Sequence, residues 1–349
     1  MHKRVILDSG AFSVWTKGIT IDLDAYIAFC RKHPYISYYV NLDVIPGKPN
    51  DAHSLRFGAI DKACEQGWEN YVHMTKRMPL QKVIPVFHQG ESLRWLKRYV
   101  DYGCSYIGIS PANDRTTHDK IQWLKEVRKE IGDKEGNPIV RTHGFAVTSL
   151  RLMKFWKWHS VDSASWRRTA AYGNIWVPFL CKGQYDYTRS PIVLAISLQS
   201  PDRGRHNQHL DSCSPIIRKY ILKYIQDELR LSLGVNSIFQ ADASYQLRDD
   251  EFWKDKKKRE AFRIKKLGLT NDFGMRGLAL ISYIQRMELK VPVRHIYFAG
   301  ASTGSPSNRY RINNRLFSYN ELGLHPITTS IDEFAWYEKQ LQCQKGIDT

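Results

Sequence analysis

A TIM-type (β/α)8 barrel with a basic insertion in its C-terminal half is the fold this sequence predicts. Three observations carry that expectation. Short apolar runs ending in polar or glycine-containing loops recur through the first half. Helical patterns lie between them, the alternation that builds a parallel sheet. No G-x-G-x-x-G follows the first run, which counts against a dinucleotide-binding sheet.

The runs are VILDSGAF, ISYYVNLDVIPG, KVIPVFHQGE, SYIGISPAND, PIVRTHGFAV and HSVDSASW, all before residue 165. Between them, Leu23, Tyr26, Ile27 and Cys30 share one helical face within 22–32, and Ile121, Leu124, Val127 and Ile131 do so within 117–131. The second half is less regular. NIWVPFL and IVLAISL read as strand seven and an extra strand, or the reverse, 215–232 and 272–288 as helices, and His295 to Ala299 as the last strand with a Gly/Ser loop after it. The Lys/Arg-dense run KDKKKREAFRIKK, 254–266, then falls between the seventh and eighth strands. Without a repeat or a low-complexity linker, residues 1–349 read as one domain with a basic insertion at about 200–290.

Hydrophobic residues make up 42% of the chain, enough for a sizeable core. No apolar stretch approaches 18 residues, so no membrane span and no membrane partner is expected. The first strand begins at once, without the pattern of a secretory signal. The six cysteines are scattered and form no C-x-x-C knuckle, so reduced thiols, a cytoplasmic setting and no metal are the expectation. The formal charge is +17, with 52 Lys and Arg against 35 Asp and Glu. A polyanion is the leading partner, because releasing counterions from phosphates drives such binding. A merely soluble basic protein is the plainer reading.

In a barrel of this type the working residues lie at the C-terminal ends of the strands. Those ends offer Asp8, Asp43, His88 and Gln89, Gly108 to Ser110, His143 and Gly144, and Asp162. Taken singly, each has an ordinary reading: a turn or cap aspartate, a loop amide, a satisfied structural histidine. Their repeated placement is what points to a site. Two acids with separate jobs, nucleophile and general acid/base, can exchange a group at a sugar carbon with retention. An aspartate, a glutamine and backbone amides suit the edge of guanine, which presents donors at N1 and N2 and an acceptor at O6. Chemistry on such a base requires it to be flipped out or unpaired.

These residues resemble a known family. LDSGAFS is similar to the DSGG-F/Y-Q motif of the tRNA-guanine transglycosylases, FHQGE to their V-Q-G-G strand end, YIGIS to their IGGLA turn, and HSVDSASW to the F-D-S-A-x-Y of the archaeal members. Order and spacing match over about residues 1–170. The short chain, Ala11 in place of the second glycine, and the basic second half look most like the phage DpdA-type branch, which places 7-deazaguanine bases into DNA. The resemblance implies that Asp162 is the nucleophile on C1′ and that Asp8 moves the proton of the departing or incoming base. It implies that Asp43, Gln89 and the backbone at Gly108 and Ile109 meet the base; strand-end placement adds His88, His143 and Gly144 as base-binding candidates. It also implies no cofactor other than a 7-deazaguanine co-substrate of the preQ0 type. The family's zinc motif C-x-C-x-x-C is missing, and Cys181, Cys213, His206 and His209 fit no zinc spacing.

For the nucleic acid, Arg167 and Arg168 follow the nucleophile, Arg203 and Arg205 lie in a polar loop, and Lys256, Lys257 and Lys258 sit in the basic run. Arg309, Arg311 and Arg315 follow the Ser302–Ser305 loop, where such barrels often hold phosphate. Trp166 reads equally as a base-stacking ring or a packed one. DNA is the expected substrate, with the same exchange on tRNA, or a noncatalytic nucleic-acid-binding subunit, as the alternatives. The number of subunits is left open.

Overall fold

A computed structural model of the chain describes residues 5–18, 20–46, 58–147, 149–229, 269–270, 273–299, 310–312, 315–317 and 326–328. Within them the chain divides into two compact units, Met1–Ala164 with Val291–Pro306 and Gly323–Thr349, and Ser165–Lys290 with Ser307–Leu322. The second unit therefore begins well before residue 200, where the sequence placed the insertion. No described helix is long and apolar enough to cross a membrane.

The first unit is mixed α/β around one parallel sheet. Its strands are β1 (Ile6–Leu7), β2 (Tyr38–Val40), β3 (Val83–Ile84), β4 (Val86–His88), β5 (Tyr106–Ser110), β6 (Arg141–Gly144), β7 (Ser160–Ser163), β12 (His295–Ala299) and β15 (Pro326–Thr328). They run in the order β3-β2-β1-β15-β12-β7-β6-β5-β4, every pairing parallel. The two strands at the ends of that order are separated in the chain by Pro85 alone. Proline has no N–H to give to a ladder, so it splits one extended run into two assigned pieces. Its carbonyl still accepts from Gly108 N at 2.8 Å.

Helices α1 (Ala11–Lys17), α2 (Leu23–Lys32), α3 (Ala59–Thr75), α4 (Leu93–Asp101), α5 (Thr117–Ile131) and α6 (Leu150–Phe155) fill the crossovers. Local chemistry starts them where the sequence allows. The Asp22 carboxylate accepts from Ala25 N at 2.7 Å to cap α2, and Thr116 and Asp119 form a reciprocal capping box on α5. The two helices expected from periodicity are thus present almost residue for residue.

Ile6, Val40, Ile84, Val86, Tyr106 and Tyr297, from six strands, form one buried cluster, with Tyr38 and Phe145 packed on it. Side chains alternate along a strand, so residues two beyond a cluster member return to the cluster's face. Asp8 follows Ile6 in this way, His88 follows Val86, and Gly108 follows Tyr106. Gly108 is glycine for want of space: a Cβ there would lie 2.3 Å from Phe145 Cε2 and 3.2 Å from the Pro85 carbonyl. Gly108→Ala is expected to cost about 1–3 kcal/mol through overpacking, read from urea unfolding; an unchanged midpoint would show that Phe145 moves away freely.

The second unit differs from the sequence expectation. NIWVPFL and IVLAISL do not join the parallel sheet. They form β8 (Asn174–Val177) and β11 (Ile192–Ala195), which pair antiparallel with each other, Ile192 opposite Val177. Their alternation explains why: Val193 is 56% exposed while Leu194 is buried, the pattern of a sheet with one wet face. The expected last strand, β12, is followed by β15, and the second unit's main segment is inserted between β7 and β12. Strands β9 (Phe179–Cys181) and β10 (Gln184–Asp186) make a hairpin, followed by helix α8 (Pro215–Tyr224). A further helix, Phe273–Glu288, is buried along most of its length. Its Arg276 donates to the Ala170 carbonyl at 2.8 Å and the Leu269 carbonyl at 2.9 Å. The first of these caps the C-terminus of α7 (Ser165–Ala171), where a cation is favoured.

Candidate functional site

The C-terminal ends of β1, β4, β6 and β7, with the turn after β2, bring together Asp8, Asp43, His88, His143 and Asp162. Asp8 lies just past β1, where the N–H groups of Ser9 and Gly10 hydrogen-bond its carboxylate. Burial, then the charges of Asp43 and Asp162, push its pKa from an ordinary 3.8 up to about 7. Residues 8 and 162, far apart in the chain, therefore lie within electrostatic reach of each other. Asp43 is re-aimed by a tight turn in which its N–H donates to the Asn41 carbonyl at 2.9 Å, so strand alternation does not place it. Ser9 Oγ donates to Asp43 Oδ1 at 3.4 Å.

His88 bridges two carboxylates. Its Nε2 lies 3.1 Å from Asp43 Oδ2 and its Nδ1 2.8 Å from Glu91 Oε1. Gly90, at φ +109°, makes the turn that folds Glu91 back, and Glu91 N donates to the His88 carbonyl. Burial alone would lower the imidazole's pKa; the two carboxylates outweigh it and raise it to about 10. Both ring nitrogens are thereby used, so His88 buttresses Asp43 and cannot also read a base edge. The carboxylates stand on opposite nitrogens and do not converge, and among the described residues no group of three His, Cys, Asp or Glu is arranged to hold a metal ion.

This bridge has a pH signature. A histidine whose folded pKa exceeds its unfolded value of 6.5 contributes stability that is complete below 6.5 and is lost as pH rises through 10. Urea unfolding at pH 6, 8 and 10 should show that decline in the wild type and not in His88→Gln. The variant should be about 2–4 kcal/mol less stable at pH 7, because Asp43 and Glu91 lose their shared cation. Parallel pH profiles for the two proteins would remove the charged bridge.

Asp162, 8% exposed, is held through Oδ1. That oxygen accepts from Ala146 N at 2.8 Å and faces His143 Nε2 at 3.5 Å. Ala146 takes a left-handed φ of +54°, uncommon for a residue with a Cβ, and this turn aims its N–H. His143 is fully buried and meets Ser160 Oγ through Nδ1.

Other expected residues are placed differently. Gly108 and Ile109 lie inside β5 and not in a turn; the Gly108 N–H is spent on Pro85, and the Ile109 carbonyl accepts from Phe145 N. Gly144 faces Val147 and Trp158, where a Cβ would lie 2.7 Å and 3.0 Å away, so its smallness serves packing. Gln89 Oε1 accepts from Ala112 N at 3.0 Å, which leaves the amide NH2 of that side chain as the group to meet a ligand.

The described basic residues of the second unit are modest phosphate candidates. Arg168 is exposed and Arg167 half-buried on α7. Arg203 pairs with Asp211 at 2.8 Å and Arg205 with Asp202 at 2.7 Å, so a phosphate would have to displace a carboxylate from either. Trp166 is 1% exposed and packed, which removes it as a stacking ring. His209 is likewise structural: Nε2 meets the Ser197 carbonyl and Nδ1 accepts from Asp211 N. Arg311 and Arg315 stand on β13 (Tyr310–Ile312) and β14 (Arg315–Phe317), paired antiparallel, and not in a loop. Lys256, Lys257, Lys258, Arg309 and the Ser302–Ser305 loop lie outside the described residues.

Glu91, Ala146, Ser160 and Tyr106 are site residues that sequence reasoning missed. Only Glu91 carried a signal, a carboxylate three residues beyond His88 across a glycine. No protein-family profile matches the chain, and no curated protein matches it.

Proposed function

We propose that the first unit is a closed (β/α)8 barrel and that the chain exchanges guanine in a nucleic acid for a 7-deazaguanine base through a covalent aspartyl–sugar intermediate. Closure is supported by the strand order: its two ends, β3 and β4, are one run of chain around Pro85, bonded to β2 on one side and β5 on the other. Merging them leaves eight parallel strands.

The observation that carries the chemistry is that Asp8 and Asp162 stand at strand ends of one parallel sheet, with the Asp162 charge helping to raise the Asp8 pKa. Asp162 Oδ2 attacks C1′; the C1′–N bond to guanine breaks, and its electron pair leaves with the base. The protonated Asp8 carboxyl supplies the proton that neutralises that base. A pKa of about 7 keeps both of its forms populated near neutral pH. The incoming base then gives its N–H proton to Asp8 and its nitrogen to C1′, and the bond to Oδ2 breaks with its pair returning to the carboxylate. Two inversions give retention. On this reading Asp43, held by His88, accepts from the donor edge of a guanine-like base, and the Gln89 amide donates to its carbonyl. The net charge of +17 supports a nucleic acid as the carrier of that base, and DNA is the first choice.

The test is direct. Full-length protein is incubated with guanine-containing duplex DNA, single-stranded DNA or tRNA, run on a denaturing gel, and the nucleosides are analysed by mass spectrometry after adding candidate bases. A covalent band and base incorporation with DNA are expected. Exchange confined to tRNA would reassign the substrate. Abasic product without added base would make the protein a glycosidase. No covalent band with any nucleic acid would leave a binding subunit.

A further inference from the structure

The described residues contain one fully buried side-chain nitrogen that is both without a hydrogen-bond partner and aimed at the reaction centre: His143 Nε2, 3.5 Å from Asp162 Oδ1. We propose that His143 is a positioning residue for Asp162, its Nε2–H holding Oδ1 together with Ala146 N–H so that Oδ2 is the oxygen presented for attack. This rests on the function proposed above and adds to it the device that sets the nucleophile's orientation.

The direction of the proton follows from a buried chain. The Tyr106 hydroxyl meets Ser160 Oγ, and Ser160 Oγ meets His143 Nδ1. Ser160 is fully buried and has one proton for two neighbours. Burial pushes the Tyr106 phenol far up, so it keeps its proton, and among the described residues its hydroxyl meets Ser160 alone. Tyr106 therefore donates to Ser160, Ser160 donates to Nδ1, and the imidazole proton stands on Nε2. The opposite tautomer would turn a lone pair toward a carboxylate oxygen. The ring cannot swing away, because Phe145 and Tyr297 stand edge-on to it with centroids 4.5 Å and 6.0 Å distant.

Two donors on Oδ1 have a use in both half-reactions. In the first they leave Oδ2 as the oxygen free to form the bond to C1′. In the intermediate Oδ1 is the ester carbonyl, and the same donors favour the return of charge to the carboxylate when the incoming base breaks that bond. The gap of 3.5 Å is long for a hydrogen bond. Such contacts tighten when substrate closes the site.

The experiment pairs adduct kinetics with direct observation of the proton. Glutamine places an amide nitrogen near the position of Nε2, while leucine removes the donor. With guanine-containing DNA, His143→Leu is expected to form and resolve the covalent complex on the order of 10²-fold more slowly. His143→Gln should restore the rate to within about tenfold, with KM for the base little changed in both. Ser160→Ala, which leaves the imidazole in place, should slow the same steps. Long-range proton–nitrogen NMR on histidine-labelled wild type should show the proton on Nε2, and Ser160→Ala should show both tautomers. Wild-type rates in His143→Leu, or a proton on Nδ1 in the wild type, would overturn the proposal even if the variants fold poorly. If wild type forms no adduct with DNA or tRNA, the proposed function falls instead. The tautomer then decides the clamp alone: Nε2–H keeps it and Nδ1–H overturns it.

Discussion

Asp162→Asn should give no covalent protein–nucleic acid complex and should lower base exchange by on the order of 10⁴-fold or more, because the amide has no charged oxygen to form the sugar ester. The substitution is chosen for what it keeps. An asparagine carbonyl can still accept from Ala146 N, the contact now made by Oδ1 at 2.8 Å. The polar environment of β7 is preserved, and the unfolding free energy should change by less than about 1 kcal/mol, as is usual where no cavity or unpaired charge is created. On the proposed reading nucleic-acid binding falls to basic residues away from Asp162, so it should be little altered. Activity loss with intact folding and binding isolates the chemical step. A covalent band that persists in Asp162→Asn would place the nucleophile elsewhere, with Asp8 and Asp43 the aspartates of this site to test next.

Apart from β15, the strands of the first unit were legible in the sequence because each lies within or beside a short apolar run closed by a polar turn. β12 was read to the residue. β15 was not, since its His-Pro-Ile-Thr-Thr context carries neither length nor alternation. The strand holding Val83 and Val86 was read as one, and the assigned break is a consequence of proline chemistry at residue 85. The second unit was misjudged because NIWV and IVLA look as apolar as barrel strands; the difference lies in which side chains face water, and a sequence does not print that. In the site, placement at strand ends found Asp8, Asp43, His88 and Asp162, although a tight turn past β2, and not the strand itself, sets Asp43. Ser160 and Tyr106 escaped because a serine and a tyrosine inside an apolar run look like ordinary strand residues until their hydroxyls are seen to meet. Ala146 escaped because its contribution is a backbone N–H, which any residue carries.

The charges of the pocket divide the work among three carboxylates that local sequence does not distinguish. Asp43 has a cation, His88, at 3.1 Å. Asp162 has a backbone N–H and faces an imidazole nitrogen. Asp8 has backbone N–H groups too, yet burial and the two neighbouring carboxylates prevail and drive it toward holding a proton. Like charges in one enclosure separate into distinct roles in this way: the group with the least compensation becomes the acid.

Asp8→Asn should therefore move activity and stability in opposite directions. Base exchange is expected to slow by roughly two to four decades, the range for losing a positioned general acid/base. The pH profile of kcat/KM should lose its limb near 7, since that limb belongs to the residue removed. Stability follows from the sign of the shift. A carboxyl whose folded pKa lies above its unfolded value of 3.8 penalises the folded state when it ionises; the penalty is absent below 3.8, grows through the interval, and is complete above 7. At about 1.4 kcal/mol per pKa unit, its ceiling is about 4 kcal/mol. Asn carries no charge, so the variant should melt higher than wild type at pH 8 and nearly with it at pH 4. Thermal unfolding at the two pH values, beside single-turnover exchange, reads both effects. A variant equally slow but less stable at pH 8 would mean that Asp8 is a structural anchor whose loss damages the site. Unchanged turnover with raised stability would make it a buried carboxyl with no part in moving the proton. Only the joint outcome, slower and more stable at high pH, marks a group whose strain in the folded state serves the reaction.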